Sequence, residues 1–454
     1  MVVVGGGLAG LSAAWQLRDL DIAVLERADR VGGRVWSEPR GRYWLNWGAH
    51  VFSGPRSETG RLLDAVGVEA APVPGVLSGL SMNGKLLLGG RVETYPFRIP
   101  TSWASRAAMV RAGMRLRLAV RRYAQVATPR PGEHDSQRQQ RIYNFRDDES
   151  FADYLGALPP DADALFRPTV SRSTGEPEQV SAGSGIGYFH LVWNKGEGLS
   201  RNILGGPSML PNAIAKALGD SVQLRTAVRE VVRGRRSVTL RYSSPGKDGE
   251  IETRFVVLAT PAPITRQLAV DIDEEVGAAL DHVVYGPHVS AAILTNEIEP
   301  QRWDGVYAIA TPKRSFSVAI NVSNVVRARE SDRLPGSSLM VFSPASLGRR
   351  LLDVRDDDVI SAYTRDLDEV LPGIGGHIVE AHVRRWPLGS PYCFPGRGRL
   401  QPALTRPMDR LFLAGDYLGT WYTETAIQTG FQAARDVRAA IQREVEGRRP
   451  AAAG

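Results

Sequence analysis

Residues 2–17 read VVVGGGLAGLSAAWQL. The three valines form a short apolar run suited to a buried strand, and Leu8 to Arg18, with Ala13 and Ala14, has helical spacing. Gly5, Gly7 and Gly10 lie between them in the pattern GxGxxG. In that setting the first glycine permits a tight turn, the second lets backbone approach a pyrophosphate, and the third lets helix and strand pack closely. The helix start adds free N–H groups and a partial positive charge. The next apolar run, IAVLE at 22–26, ends in Glu26, where a carboxylate accepts hydrogen bonds from an adenosine ribose and disfavours a 2′-phosphate. Gly32, Gly33 and Arg34 follow at once, a second glycine turn placed to embrace the same pyrophosphate from its other side.

The remainder of the chain continues this alternation. Residues 221–263 alternate apolar and polar positions around RGRR and SPGKDGE, which predicts an antiparallel meander closing on a buried strand at Phe255–Ala259. DRLFLAGD at 409–416, followed by a helix from about Thr425 to Glu444, repeats strand, turn and helix. Residues 127–141, ATPRPGEHDSQRQQR, are polar and proline-bearing and read as a mobile surface loop. No internal repeat is evident.

With 454 residues and 43% apolar composition, the chain is long enough for two or three domains. No apolar run approaches a membrane span, and Met1 leads directly into Val2–Val4, so no secretory leader is expected. Cys393 is the single cysteine, which excludes an internal disulfide and fits a reducing cytoplasm. The seven histidines lack HExxH spacing, and no metal site is expected. The net charge of +7 comes without a nucleic-acid-recognition motif, so no nucleic-acid partner is expected. In SRAAMVRAGMRLRLAVRRYAQ (105–125), Met109, Met114, Leu116, Leu118 and Val120 interleave with Arg111, Arg115, Arg117, Arg121 and Arg122. Such a helix either packs on its own domain or lies on an anionic membrane, and peripheral membrane contact stays open.

The opening motif, VLERADRVGGRV (24–35), VVLATPAP (256–263) and RLFLAGDYLGTWYTETAIQTGFQAARDV (410–437) together resemble the flavin amine oxidase superfamily, which includes protoporphyrinogen oxidases and carotenoid desaturases. The resemblance runs nearly end to end. It implies an α/β fold: a discontinuous Rossmann-like FAD-binding domain (1–90, 205–285, 390–445) with an inserted α+β substrate domain (91–204, 286–389) and a flexible tail (446–454). It also implies FAD, held noncovalently, with Gly5, Gly7, Leu8, Ala9, Gly10, Glu26, Arg27, Gly33 and Arg34 around its ADP half. By the same match Val228 meets the adenine, Gly48, Ala49 and His50 pass beside the flavin ring, and Gly415 and Asp416 sit at the pyrophosphate and ribityl chain. Thr425, Ala426 and Ile427 begin a helix aimed at the flavin.

The resemblance further implies hydride removal from a C–N or C–C unit of a medium-sized organic substrate, with electrons passed to oxygen or another acceptor. Alternatives are a porphyrinogen oxidase or desaturase at a membrane surface, and an isomerase without net redox. Tyr422, Tyr392 and Tyr188 are the candidate aromatic walls of the substrate cavity. Ser290 stands where many amine oxidases carry a lysine that assists reaction with oxygen, and Cys393 lies near a region that in some relatives bonds the flavin. Arg98 is expected in a structural salt bridge. Substrate identity and oligomeric state are left undetermined.

Overall fold

The structure, a computed structural model, describes residues 1–75, 79–193, 199–330, 332–420 and 422–446. The expected tail therefore lies outside the described residues from 447 onward. Five short strands form a parallel sheet in the order Val222–Gln223, Ala23–Leu25, Val2–Val4, Val256–Leu258, Leu411–Leu413. Their runs are uniformly apolar because both faces are covered. Val3, Val24, Val257 and Phe412 face the helices Leu8–Gln16, Met209–Leu218 and Tyr422–Glu446. Val2, Val4, Leu25, Val256, Leu258 and Leu411 face the meander Ala227–Arg233, Val238–Ser244, Lys247–Thr253 and the helices Ala262–Leu268 and Glu274–Asp281.

A second sheet has seven strands, in the order Ile378–Pro391, Tyr285–Thr295, Ser338–Pro344, Val318–Asn321, Ala308–Ala310, Gly79–Met82, Lys85–Leu87. Every pair in it is antiparallel except Ala308–Ala310 with Gly79–Met82. Residues 79–87, inside the segment expected to end the first nucleotide-binding part at 90, are thus hydrogen-bonded into this sheet. Beside it lies a helical layer built mainly from Trp103–Ala127, Phe151–Leu155, Pro160–Ser171 and Ala182–Trp193, with a shared core around Leu116, Phe151, Phe166 and Phe189.

The stretch expected as a mobile loop at 127–141 instead contains a helix, Asp135–Tyr143. His134 and Gln137 form a reciprocal capping box there, Ile142 and Tyr143 are buried, and Arg141 pairs with Glu133 at 2.6 Å. Caps and a buried anchor outweigh the polar composition. The last helix begins at Tyr422, ahead of the expected Thr425, and Leu8–Gln16 ends before Arg18.

The first and last helices cross in close contact. A Cβ on Gly430 would lie 2.3 Å from the Ala9 carbonyl oxygen and 2.9 Å from the Ser12 Cβ. A methyl group there meets backbone that cannot rotate aside. Gly430→Ala should therefore destabilise the chain by about 1–3 kcal/mol, read as a lower midpoint in chemical denaturation; an unchanged midpoint would show that the two helices can separate without cost.

Candidate functional site

The loops that follow strands Val2–Val4, Ala23–Leu25, Val256–Leu258 and Leu411–Leu413 all emerge at the carboxyl edge of the parallel sheet, where ligands bind in open α/β folds. There the three fingerprint glycines have different surroundings. Gly5 has φ +106°, and a Cβ on it would lie 2.8 Å from the Ala259 carbonyl oxygen. A Cβ on Gly10 would lie 2.0 Å from the Gly5 carbonyl oxygen. Around Gly7, by contrast, a Cβ would meet no atom within 4 Å, so open space lies over the helix start. Gly7 precedes Leu8–Gln16 as its N-cap and offers no side-chain hydrogen bond to the first-turn N–H groups.

Gly33, with φ +56°, approaches from the other side: a Cβ on it would lie 3.5 Å from the Gly7 Cα, and the Gly32 N–H donates to the Gly6 carbonyl at 2.8 Å. Glu26 accepts from the Gly6 N–H at 2.7 Å and the Ala28 N–H at 2.8 Å, which orients its carboxylate at the loop edge. Arg27 is exposed beside it. Arg34 donates to Asp416 at 2.9 Å and to the Gly389 carbonyl at 3.2 Å, yet 31% of its side chain stays accessible. That pair ties the second glycine turn to the C-terminal loop. Gly415 is held there by its N–H to Thr429 Oγ1, 3.0 Å.

Gly48, Ala49 and His50 run against the same turn, since the Ala49 N–H donates to the Arg34 carbonyl at 3.2 Å. Val228 lies half-buried on the meander just before its bulge. Thr425 and Ile427 are buried and Ala426 half-buried in the first turns of the last helix. The neighbouring Glu424, not singled out from sequence as a functional side chain, is also buried. It accepts from the Glu58 N–H at 2.9 Å, the Thr59 N–H at 3.2 Å and Thr59 Oγ1 at 2.5 Å, capping the helix Glu58–Ala65.

A cluster of rings adjoins His50. The His50 ring lies 6.4 Å from Tyr307 and 6.5 Å from Phe342, and His288 meets Phe342 edge-on at 4.8 Å. Asn202 Nδ2 donates to the His50 carbonyl at 2.6 Å and to the Tyr307 hydroxyl at 2.8 Å. The Tyr188 and Tyr422 rings are brought together with their centroids 5.9 Å apart. Tyr422 takes φ +52°, a backbone conformation that a bulky residue adopts only when its surroundings impose it. Tyr392, like Tyr188, packs against the helical core, and its ring lies 2.8 Å from where a Gly175 Cβ would be.

Arg172 was not anticipated from sequence. It follows the helix Pro160–Ser171 and is exposed, and its guanidinium has no hydrogen bond or ion pair among the described residues. Its charge acts on His50, His288, Tyr307 and Tyr422. The turn after it is clamped to the second sheet: Thr174 Oγ1 donates to the Ser390 carbonyl at 2.7 Å, and Gly286 leaves no room for a Cβ against the Thr174 carbonyl. Burial, helped by the Arg172 charge, lowers the His50 imidazole to about 4; burial together with His50 and Arg172 lowers His288 to about 4. Burial also raises Tyr422 to about 12 and Tyr188 well above the phenol range.

Ser290 is fully buried and its Oγ donates to the Trp47 carbonyl at 2.7 Å, so it offers no cation; its cross-strand partner Arg384 stacks on Trp36 at 3.9 Å. Cys393 is buried and its thiol pKa is raised by that burial. Arg98 donates to the Gly89 carbonyl at 2.6 Å, a carbonyl in place of the expected carboxylate. No group of three or more His, Cys, Asp or Glu is arranged to hold a metal among the described residues.

A family model described as "Flavin containing amine oxidoreductase" matches residues 8–438. "Amine oxidase [flavin-containing] A" of Bos taurus is 23% identical over 477 residues, covering 97% of this chain and 85% of its own. "L-amino acid dehydrogenase" of Synechocystis sp. is 25% identical over 283 residues, covering 57% of this chain and 55% of its own. A solved structure of wild-type putrescine oxidase bound to putrescine aligns with TM-score 0.76 at 19% identity, covering 96% of this chain and 98% of that one.

The two depressed histidines couple folding to pH. Each is neutral when folded and binds a proton more readily when unfolded, so the stability they contribute is present above about pH 6.5 and is lost as pH falls toward 4. The melting temperature should fall across that window, and fall less in His288→Asn than in the parent. Equal slopes in both would assign the acid sensitivity to other groups.

Proposed function

The chain belongs to the flavin-containing amine oxidoreductase family, and from that membership we propose that it oxidises a C–N bond of a small amine carrying an acidic group, using noncovalent FAD and oxygen as final acceptor. FAD is the family's cofactor, and when bound it supplies the ring that accepts a hydride. The open space over Gly7, the uncapped first turn and the oriented Glu26 carboxylate suit its ADP half. We assign Gly5, Gly7, Leu8, Ala9, Gly10, Gly33 and Arg34 to the pyrophosphate, Glu26 and Arg27 to the ribose edge, and Val228 to the adenine. Gly48–His50, Gly415, Asp416 and Thr425–Ile427 then border the rest of the cofactor. A buried, protonated Cys393 thiol favours noncovalent attachment.

The observation that carries the reading is the charge state of these rings beside Arg172. His50 and His288 are uncharged at neutral pH and the Tyr188 and Tyr422 hydroxyls stay protonated, while Arg172 leaves one positive charge. Losing a hydride next to an amine nitrogen asks the protein to position the substrate and exclude water, and rings do both. A lone guanidinium opposes a cationic amine unless the substrate brings an anion of its own. A carboxylate matches its fork and its single charge, and the similarity to a protein named L-amino acid dehydrogenase agrees with this.

Purified protein should show a two-banded flavin spectrum, and acid precipitation should leave the colour in the supernatant. Colourless protein that takes up no added FAD would remove the cofactor assignment. In anaerobic flavin reduction, Arg172→Met should raise the concentration of phenylalanine needed for half-maximal rate about tenfold or more, with a smaller effect on phenethylamine. Equal effects on both compounds would remove the carboxylate from the proposal and leave amine oxidation standing.

A further inference from the structure

The helix Trp103–Ala127 is apolar on two faces. Ala108, Met109, Ala112, Leu116, Ala119, Val120 and Tyr123 are buried against the chain's own core. The other face carries Trp103, Met114 and Leu118, which are 79%, 61% and 59% exposed, with Phe97 of the preceding turn 63% exposed. At about 100° per residue, Trp103, Ala107, Val110, Met114 and Leu118 fall within one stripe. Arg106 and Arg117 border it on one side, and Arg111, Arg115 and Arg122 on the other, with Arg121 near its end.

Some of these arginines have partners. Arg106 stacks on Trp103 at 4.5 Å, Arg115 on Tyr154 at 4.3 Å, and Arg117 pairs with Glu93 and stacks on Trp193. Arg111, Arg121 and Arg122 are exposed and have no ion pair among the described residues. Large exposed apolar side chains flanked by free guanidinium groups are costly in water and complementary to a surface that is apolar below and anionic above. A second copy of the chain would set one arginine border against another. No helix among the described residues is long and apolar enough to cross a membrane, so the fit is to a helix lying in the plane of the surface.

We propose that the outer face of Trp103–Ala127, with Phe97, docks on a lipid surface bearing acidic headgroups. Trp103, Met114 and Leu118 enter the headgroup and acyl boundary, and Arg111, Arg121 and Arg122 meet the phosphates. The inner face of the same helix packs on Ala182–Trp193: the Tyr123 ring lies 5.3 Å from His190, and Gly187 leaves no room for a Cβ against the Tyr123 hydroxyl. Ala182–Trp193 also carries Tyr188, so the docked surface lies on the far side of the helix that presents the Tyr188–Tyr422 ring pair.

The test is flotation of the flavin-loaded full chain with vesicles of phosphatidylcholine alone or with about 30% phosphatidylglycerol, in about 100 mM salt. The chain should float with the mixed vesicles and not with the neutral ones. Two variants, W103S/M114S/L118S and R111E/R121E/R122E, should each lower the bound fraction about tenfold or more while flavin content and melting temperature stay at the parent values. Absence of the parent from the mixed-vesicle fraction would overturn the proposal. So would a serine variant that floats like the parent, which would reduce the contact to diffuse charge. Light scattering that shows a dimer broken by the serine variant, without flotation, would give the face to a second copy. None of these outcomes bears on amine oxidation, which the flavin-reduction experiment tests separately.

Discussion

The contact of Gly430 with the backbone at Ala9 brings the two ends of the chain together, and much of the remaining structure follows from it. Only a residue without a Cβ lets the last helix lie this close to the first. With the helices in contact, Leu411–Leu413 extends the sheet begun by Val2–Val4 through Val256–Leu258, and the loops after these strands converge at one edge. Arg34 and Asp416, 382 positions apart, then meet at 2.9 Å. Glu424 adds a third tie by capping Glu58–Ala65. The glycine cradle and the C-terminal loop are therefore parts of one packed unit, and a ligand spanning them meets a surface shaped before it arrives.

Burial governs the chemistry of these rings in a single direction. It holds imidazoles neutral and phenols protonated, so the walls present dipoles and ring faces with little charge. Against that background one guanidinium carries unusual weight, because few neighbouring charges compete with it for a ligand. Its position depends on the second sheet, through Thr174 on Ser390 and the missing side chain at Gly286. The parallel sheet thus positions the glycine turns, while the second sheet and the helical layer position Arg172 and the rings near it.

The glycine fingerprint, the acid after the second strand and the meander were legible in the sequence because each is local: a turn, a helix start and an alternation involve neighbours a few residues apart. The cradle around Gly5, Gly7, Gly10, Glu26 and Gly33 accordingly has the surroundings that the spacing implies. Polar composition misled at 127–141, where a capping box and two buried side chains make a helix. The interleaved apolar and basic residues of 105–125 admitted two readings, core and surface, and the helix uses both, Met109 and Leu116 facing inward, Met114 and Leu118 outward.

By itself the sequence determined the class of fold, the kind of cofactor loop and three candidate tyrosines, Tyr422, Tyr392 and Tyr188. Only the tertiary structure decided that the Tyr188 and Tyr422 rings meet, that the Tyr392 ring lies against Gly175, that Ser290 is spent on the Trp47 carbonyl, and that Arg172 stands without a partner among the described residues. The reason is physical. A local motif is specified by backbone geometry over a few residues, whereas burial, ion pairing and the pKa of an imidazole are properties of everything packed around a side chain, and those neighbours come from segments hundreds of positions away.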